Sequence, residues 1–398
     1  LLTFTNIKNY MRSKASRASR ASVIILLLLC VSITFFSSSP AFASVSYSST
    51  DLQSQLQQIK NILHQISNLL RPQVKGVSTI VVTTPAELKT ALSSATGGET
   101  IQLAPGNYGH LEIDGRRMKH TSPVTITSLN ATSPAVFVTS RILLVRDIVI
   151  DGVTFAYDPA APVGSYIIAN NVNTANVTAS ASYITIKNST FIGVTDAAGY
   201  AVTYNALWWK NTTHSVFENN TVENWRIGLI FADSSFLTIK GNEVRKISGD
   251  GSEFMNIDDT LIENNYFHDF FRAPSDNIHP DMIQFWTSGE TSPTTNITIR
   301  GNRLDIGNGS WTQSMFMANE AVSIGKQGLP MYYKNFLIEN NTITNLHLNG
   351  ITLGEVDGVV IRNNTLTSAS RTSTDPTTAA YLNQYQPNDK NAIYIERP

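Results

Sequence analysis

The sequence has little of what stabilises small secreted proteins or of what binds nucleic acid. Its only cysteine is Cys30, so the chain cannot form an internal disulfide framework. Charged residues make up 15% of the 398 positions, and the formal net charge is −1. The excess of positive charge that binding to nucleic acid requires is therefore absent. A hydrophobic content of 42% still allows a buried core.

The N-terminal segment has the pattern of a secretion signal. Four basic residues follow Met11, the expected true start, and an apolar stretch at 23–36 precedes Ala41-Phe42-Ala43. This stretch is short for a membrane span. We therefore predict a signal peptide over residues 1–43 and a secreted or cell-surface protein without a stable membrane span. Cleavage would leave 24 basic and 30 acidic residues, which again argues against nucleic acid as partner.

The next segment predicts a linker and a helix. Residues 44–50 are rich in serine, which is typical of a flexible linker. In residues 51–71 the apolar positions recur at alternating steps of four and three: Leu52, Leu56, Ile59, Leu63, Ile66 and Leu70. This heptad pattern predicts a short N-terminal coiled-coil helix. Residues 51–70 would then join copies of the chain into a homo-oligomer, or else pack on the following domain.

From residue 78 onward the sequence is repetitive. A short unit of apolar alternation ends in an Asn-Asn or Gly-Asn pair, whose second Asn lies at 220, 242, 265, 302, 341 and 364. A basic period of 22–23 residues with three short strands predicts a parallel β-helix. Asparagine tolerates left-handed backbone at such turns and can stack as a ladder. We predict an all-β fold, a right-handed parallel β-helix (solenoid) over residues 78–398, rather than a β-sandwich.

These repeats resemble the pectin lyase-like superfamily. The segment from Pro85-Ala86-Glu87-Leu88 through Ala104-Pro105-Gly106-Asn107-Tyr108 resembles the N-terminal cap of the chondroitinase B and alginate lyase group. The resemblance implies a right-handed β-helix whose partner is an acidic or neutral polysaccharide. It does not fix one activity, because such β-helices include lyases, hydrolases, epimerases, phage depolymerases and adhesins.

A second strand is expected after each Asn turn, and we predict that its first and fourth positions face a groove. The predicted first positions are Tyr200, Ile227, Asp250, Asp281, Glu320, Asn349 and Asn391, and the fourth are Thr203, Ile230, Glu253, Gln284, Ser323, Thr352 and Tyr394. Three acidic residues then stack on strands about 4.8 Å apart. Like charges at that spacing are costly unless a cation, a raised pKa or a basic partner relieves them. The stack therefore indicates a site.

Two inserted loops, 265–281 and 302–320, are predicted to lie beside this acidic stack. Long loops on a solenoid are usually functional. The tryptophans near them could stack on sugar rings. The predicted substrate-binding residues are Arg272, Gln284, Trp286, Trp311 and Gln313.

The favoured function is a lyase that cleaves a uronate-containing polymer by β-elimination. Such an enzyme needs a base to remove the proton α to the uronate carboxylate and a group that neutralises this carboxylate. We predict His279 or Lys326 as the base. Hard oxygen ligands favour Ca²⁺ as the cofactor, and its predicted ligands are Asp250, Glu253 and Asp281.

Two alternatives stay open. A glycoside hydrolase needs two carboxyl groups, and Asp281 and Glu320 on adjacent coils are the candidates. A non-catalytic surface adhesin or polysaccharide-binding protein needs the groove and its aromatic rings but no working base.

Overall fold

The computed structural model describes residues 78–115, 122–159, 166–170, 181–273, 279–346, 349–369 and 392–395. The chain divides into two compact units, Leu1–Arg71 and Pro72–Pro398. The predicted signal peptide, linker and coiled-coil helix lie outside the described residues, and so does Asn391. Within the described part, no helix is long and apolar enough to cross a membrane.

The solenoid begins with a strand, a helix and a second strand. β1 (Thr79–Val82) pairs in parallel with β2 (Thr100–Leu103), and α1 (Pro85–Ser94) packs against both. The hydroxyl of Thr84 caps α1 by accepting a hydrogen bond from the Glu87 backbone N–H at 3.2 Å. The helix buries its apolar face through Leu88, Ala91 and Leu92.

The described strands form two parallel sheets. One sheet has 21 strands: β1, β2, β3 (His110–Asp114), β4 (Val124–Ser128), β6 (Thr139–Leu143), β7 (Arg146–Asp151), β9 (Tyr166–Asn170), β10 (Ala181–Lys187), β12 (Asn205–Lys210), β13 (Thr212–Thr213), β14 (Val216–Glu218), β16 (Ile227–Ser235), β17 (Thr238–Lys240), β19 (Ser252–Glu263), β21 (Asp281–Phe285), β22 (Thr295–Arg300), β24 (Gln313–Met317), β25 (Tyr333–Glu339), β27 (Asn349–Leu353), β28 (Val356–Arg362) and β30 (Ala392–Ile395). The other has nine: β5 (Val136–Phe137), β8 (Thr154–Ala156), β11 (Thr190–Ile192), β15 (Thr221–Glu223), β18 (Glu243–Arg245), β20 (Tyr266–His268), β23 (Arg303–Asp305), β26 (Thr342–Asn345) and β29 (Thr365–Ser368). A short helix, α2 (Glu320–Ser323), and a 3₁₀ turn (Leu329–Met331) lie between β24 and β25. Each coil pairs with the next, so the predicted parallel β-helix is confirmed.

The larger sheet covers two faces of the coils because some strands continue around a corner. β19 pairs with β21 at Glu253 and Phe254, and then with β22 from Asp258 to Glu263. The face built by β12, β16, the first half of β19, β21, β24, β27 and β30 carries the candidate site and is called the site sheet below. Behind it, the inward-facing rings of Phe231, Phe254 and Phe285 stack at centroid distances of 5.3 and 4.8 Å.

A buried ladder of asparagine side chains joins successive coils. In each of its rungs an Nδ2 donates to the Oδ1 of the next asparagine at 2.9–3.1 Å, and the same Oδ1 accepts from a backbone N–H. The preceding residue has left-handed backbone, for example Asn264 at φ 56° and Gly301 at φ 64°. The ladder consists of Asn220, Asn242, Asn265, Asn302, Asn341 and Asn364. Both the ladder and its turns were predicted.

We expect Asn265→Ala to destabilise the solenoid strongly. The change removes the amide that donates to Asn302 Oδ1 and to the Ile239 carbonyl and that accepts from Asn242. Buried polar groups left without a partner cost about 1–3 kcal/mol each, so the free energy of unfolding should fall by about 3 kcal/mol or more. Urea denaturation followed by circular dichroism measures it.

The matched control is Asn264→Gly, one residue earlier. Glycine already occupies this turn position at Gly301 and adopts positive φ without strain, so the change should stay below about 1 kcal/mol. Equal losses in the two variants would contradict the assignment of stability to the buried amide.

Candidate functional site

The register of the site sheet differs from the predicted one in two coils. Asp281 pairs with Gln313, and Gln284 with Phe316, so the strand of that coil is β24 and not the segment that begins at Glu320. In an earlier coil, Trp208 pairs with Ile230, so the strand is β12 and not the segment that begins at Tyr200. Both predicted alignments are wrong, because each chose a segment that lies next to the true strand in the sequence.

Side chains along these strands alternate between the interior and the groove. Ile283 and Phe285 belong to the core, and Asp281 has the same parity and is fully buried. Asp281, at a predicted first position, therefore faces inward. The fourth positions face outward, and we call them the outward column: Trp208, Ile230, Glu253, Gln284, Phe316, Thr352 and Tyr394. Thr203 and Ser323 do not belong to it.

Glu320 does not stack on Asp281. It begins α2, and its Oε2 accepts a hydrogen bond from the backbone N–H of Thr287 at 2.9 Å. The extra residues of this coil follow β24 instead of preceding it. The predicted pairing of Asp281 with Glu320 as two groove-facing carboxyl groups is wrong for this reason.

His279 and Asp281 form a dyad at the start of β21. Nδ1 of His279 lies 2.9 Å from Oδ2 of Asp281, while half of the His279 side chain is exposed. The hydrogen bond to Asp281 raises the pKa of His279, and burial raises that of Asp281 to about 6 even though this hydrogen bond opposes it. The buried carboxylate thus holds the ring through Nδ1 and orients Nε2 toward the exposed side.

Asp250 and Glu253 form a carboxyl pair beside the dyad. Burial and the neighbouring charges of Asp281 and Glu253 raise the pKa of Asp250 well above its ordinary value, and burial also raises that of Glu253. Oδ1 of Asp250 accepts a hydrogen bond from the Asp281 backbone N–H at 2.8 Å. The pair can therefore act as an acid at a pH where ordinary carboxyl groups are ionised.

Aromatic and cationic groups surround the exposed side of His279. Its ring meets Phe316 edge-on at 5.4 Å, and the guanidinium of Arg272 lies over Trp311 at 5.4 Å. The charge of Arg272 is close enough to lower the pKa of His279. Gln313, which is nearly buried, is the partner of Asp281 on the next strand. The structure thus brings the predicted substrate-binding residues close to the dyad or onto the neighbouring strands of the site sheet.

Lys326, one of the two predicted bases, is not brought into the site. It is exposed in the loop after α2, and the hydrogen bond of the dyad does not include it. Of the predicted Ca²⁺ ligands, Asp281 contacts His279 through Oδ2, and its buried Oδ1 has no hydrogen-bond partner among the residues that the structure describes. No group of three or more histidine, cysteine or acidic residues in the described part of the chain is arranged to hold a metal. Ca²⁺ as a cofactor stays a prediction.

Sequence reasoning missed Phe316 and Trp208 in the outward column. The signal was present, because Gln313-Ser314-Met315-Phe316-Met317 ends in three consecutive large apolar residues, as a buried strand can. Asn205–Lys210 has a similar pattern with two adjacent tryptophans.

The comparisons with known proteins agree with this architecture. A family described as "Right handed beta helix region" matches residues 175–384, which is more than half of the chain. The chain belongs to this family. The predicted right-handed parallel β-helix is thereby confirmed.

Several solved structures are similar to this chain at low identity. An alginate lyase from Paenibacillus sp. str. FPU-7 is 13% identical, with a TM-score of 0.49 over 81% of this chain and 98% of that one. DFA-IIIase from Arthrobacter chlorophenolicus A6 is 12% identical, with a TM-score of 0.42 over 78% of this chain and 87% of that one. Pectate lyase Pel9A is 13% identical, with a TM-score of 0.45 over 76% of this chain and 82% of that one. No curated protein matches the sequence significantly.

We expect Asp281→Asn to lower the pKa of His279. The hydrogen bond and the charge of Asp281 both raise that pKa, and the asparagine amide supplies no charge. Two-dimensional ¹H–¹⁵N NMR of the histidine rings as a function of pH measures the shift. Asp305→Asn, on β23 of the other sheet, is the control and should leave the His279 titration unchanged. An unchanged titration in Asp281→Asn would show that the dyad does not form.

Proposed function

We propose that this β-helix protein is a polysaccharide lyase that cleaves a uronate-containing polymer by β-elimination. One observation carries the proposal: a buried carboxylate holds Nδ1 of a half-exposed histidine beside two carboxyl groups, Asp250 and Glu253, whose pKa values are raised. A base and an acid of this kind are what the elimination needs.

The proton abstraction is assigned to His279. Its Nε2 takes the proton from the carbon α to the uronate carboxylate, and the electron pair left behind forms the carbon–carbon double bond. Asp281 stabilises the imidazolium that results, because the hydrogen bond to Nδ1 strengthens as the ring becomes charged. Lys326 has no part in this step.

The departing sugar oxygen takes its proton from Glu253. The bond between the β-carbon and this oxygen breaks as the double bond forms, so the oxygen needs a proton to leave as a hydroxyl. Glu253 faces the groove from the outward column, and burial raises its pKa and so favours its protonated form. Exchange with solvent then returns a proton to Glu253 and removes one from His279.

The uronate carboxylate is assigned to Arg272. A guanidinium binds a carboxylate with two parallel hydrogen bonds and disperses the charge that builds up as the α-proton leaves. Trp311 holds this guanidinium over its ring. Gln284 and Trp286 face the same groove and would orient the sugar. Such a polymer lies outside the cell, which agrees with the predicted secretion.

We expect His279→Gln to lower the rate of product formation at least about 100-fold, the usual contribution of a positioned base. The measurement is the ultraviolet absorbance of the unsaturated uronate product, with uronate polymers as substrates. His214→Gln, at a turn between β13 and β14, is the control and should retain activity. New reducing ends without this absorbance would instead indicate hydrolysis, and polymer binding without either signal would indicate an adhesin.

We expect a bell-shaped pH profile of kcat/KM that loses its alkaline limb in Glu253→Gln. Activity needs neutral His279 and protonated Glu253, so it rises as His279 loses its proton and falls as Glu253 does. Glutamine cannot ionise, and only the rise should remain, at a lower maximum. A variant that keeps both limbs would show that another group supplies the proton.

A further inference from the structure

The outward column contains no basic residue among the residues that the structure describes. It has one acidic member, Glu253, and its other members are apolar, aromatic or neutral polar. The parallel row two residues further along the strands contains Lys210, but Nζ of that lysine lies 3.3 Å from Asp233. On earlier coils the line of the outward column continues beyond Trp208 through Ala169 to Arg141, whose Nη2 lies 2.8 Å from Glu112. The groove therefore offers positive charge near the dyad through Arg272, and the other basic residues described in these rows are paired with acidic ones.

A polymer made only of uronates would bring one carboxylate to nearly every rung. Parallel strands lie about 4.8 Å apart, a spacing similar to the length of one sugar unit in a chain, so successive sugars would face successive coils. Each carboxylate placed on an apolar or acidic surface would lose water without gaining a counter-charge, which is unfavourable. The column thus suits a chain with few charges.

An apolar patch beside Glu253 points to what the neighbouring sugars are like. Ile230, Ala232 and Met255 form a compact cluster on the outward side, and Trp208 and Trp286 pack against it. Both tryptophans are only partly buried. Such rings gain most by covering the C–H face of a sugar, because this removes apolar area from water. Phe316 and Tyr394 continue the aromatic surface on the other side of the dyad.

Resting on the proposed lyase activity, we propose that the substrate is a heteropolysaccharide in which a single uronate is flanked by neutral sugars with apolar faces, such as deoxy or acylated sugars. Arg272 and the dyad receive the uronate. The tryptophans on one side and Phe316 and Tyr394 on the other receive its neutral neighbours.

The first experiment compares polymers by charge density. An exopolysaccharide with one glucuronate per repeat among neutral sugars is compared with polygalacturonate and alginate, by kcat/KM and by binding to the inactive His279→Gln variant. We expect a preference for the heteropolymer of about tenfold or more in both measurements. Its binding should depend only weakly on ionic strength, because one charged contact is made.

The second experiment adds a positive charge to the groove. Trp208→Lys and Tyr394→Lys place a cation two or more rungs from the dyad, on positions that take no part in the chemistry. We expect each to increase binding of polygalacturonate several-fold at low ionic strength, whereas the matched Trp208→Gln and Tyr394→Gln should not.

The outcomes separate this inference from the lyase proposal. If polygalacturonate or alginate is cleaved and bound as well as the heteropolymer, the inference is overturned and the lyase stands. If no polymer yields unsaturated product but the heteropolymer is bound preferentially, the groove chemistry stands and the lyase fails. If lysine and glutamine variants bind polygalacturonate equally, the missing charge is not what sets the preference, and the inference fails.

Discussion

The hydrogen bonds that each buried asparagine makes to the next coil fix the height and the rotation of every turn in the solenoid. Because one amide joins both a side chain and a backbone N–H of its neighbour, a coil cannot slip by a residue without leaving buried polar groups unpaired. Residues far apart in sequence therefore meet at fixed positions. Asp250 reaches the backbone of Asp281 across a sequence separation of 31 residues in this way.

The candidate site is made where this regular packing is broken by polar residues. Asp281 has the parity of a core residue, yet it carries a carboxyl group whose Oδ2 meets the partly exposed His279 while its buried Oδ1 has no hydrogen-bond partner in the described part of the chain. Burial of three carboxyl groups costs stability, and the raised pKa values of Asp250, Glu253 and Asp281 reflect that cost. Polar groups kept in so unfavourable a place are typical of functional sites.

The sequence was sufficient for the fold and for part of the site. The ladder could be predicted because Asn242, Asn265 and their equivalents recur whatever the loops do, and His279 with Asp281 lies within one short segment. The register of β12 and β24, which was misplaced at Tyr200 and Glu320, could not be predicted. Loops of variable length precede those strands, and a local motif does not fix pairing between coils. The inward direction of Asp281 also escaped the prediction, because the first and fourth positions of a strand have opposite parity.

The position of the ladder has a consequence for the order in which the molecule unfolds and is degraded. A stack of coils comes apart from its ends, since a terminal coil has one neighbour and an internal coil has two. The dyad and the carboxyl pair lie between Asn242 and Asn302, with further rungs at Asn220 on one side and Asn341 on the other. Fraying or proteolysis would thus unfold or remove the outer coils first, and the coils that carry the candidate site would remain folded longest.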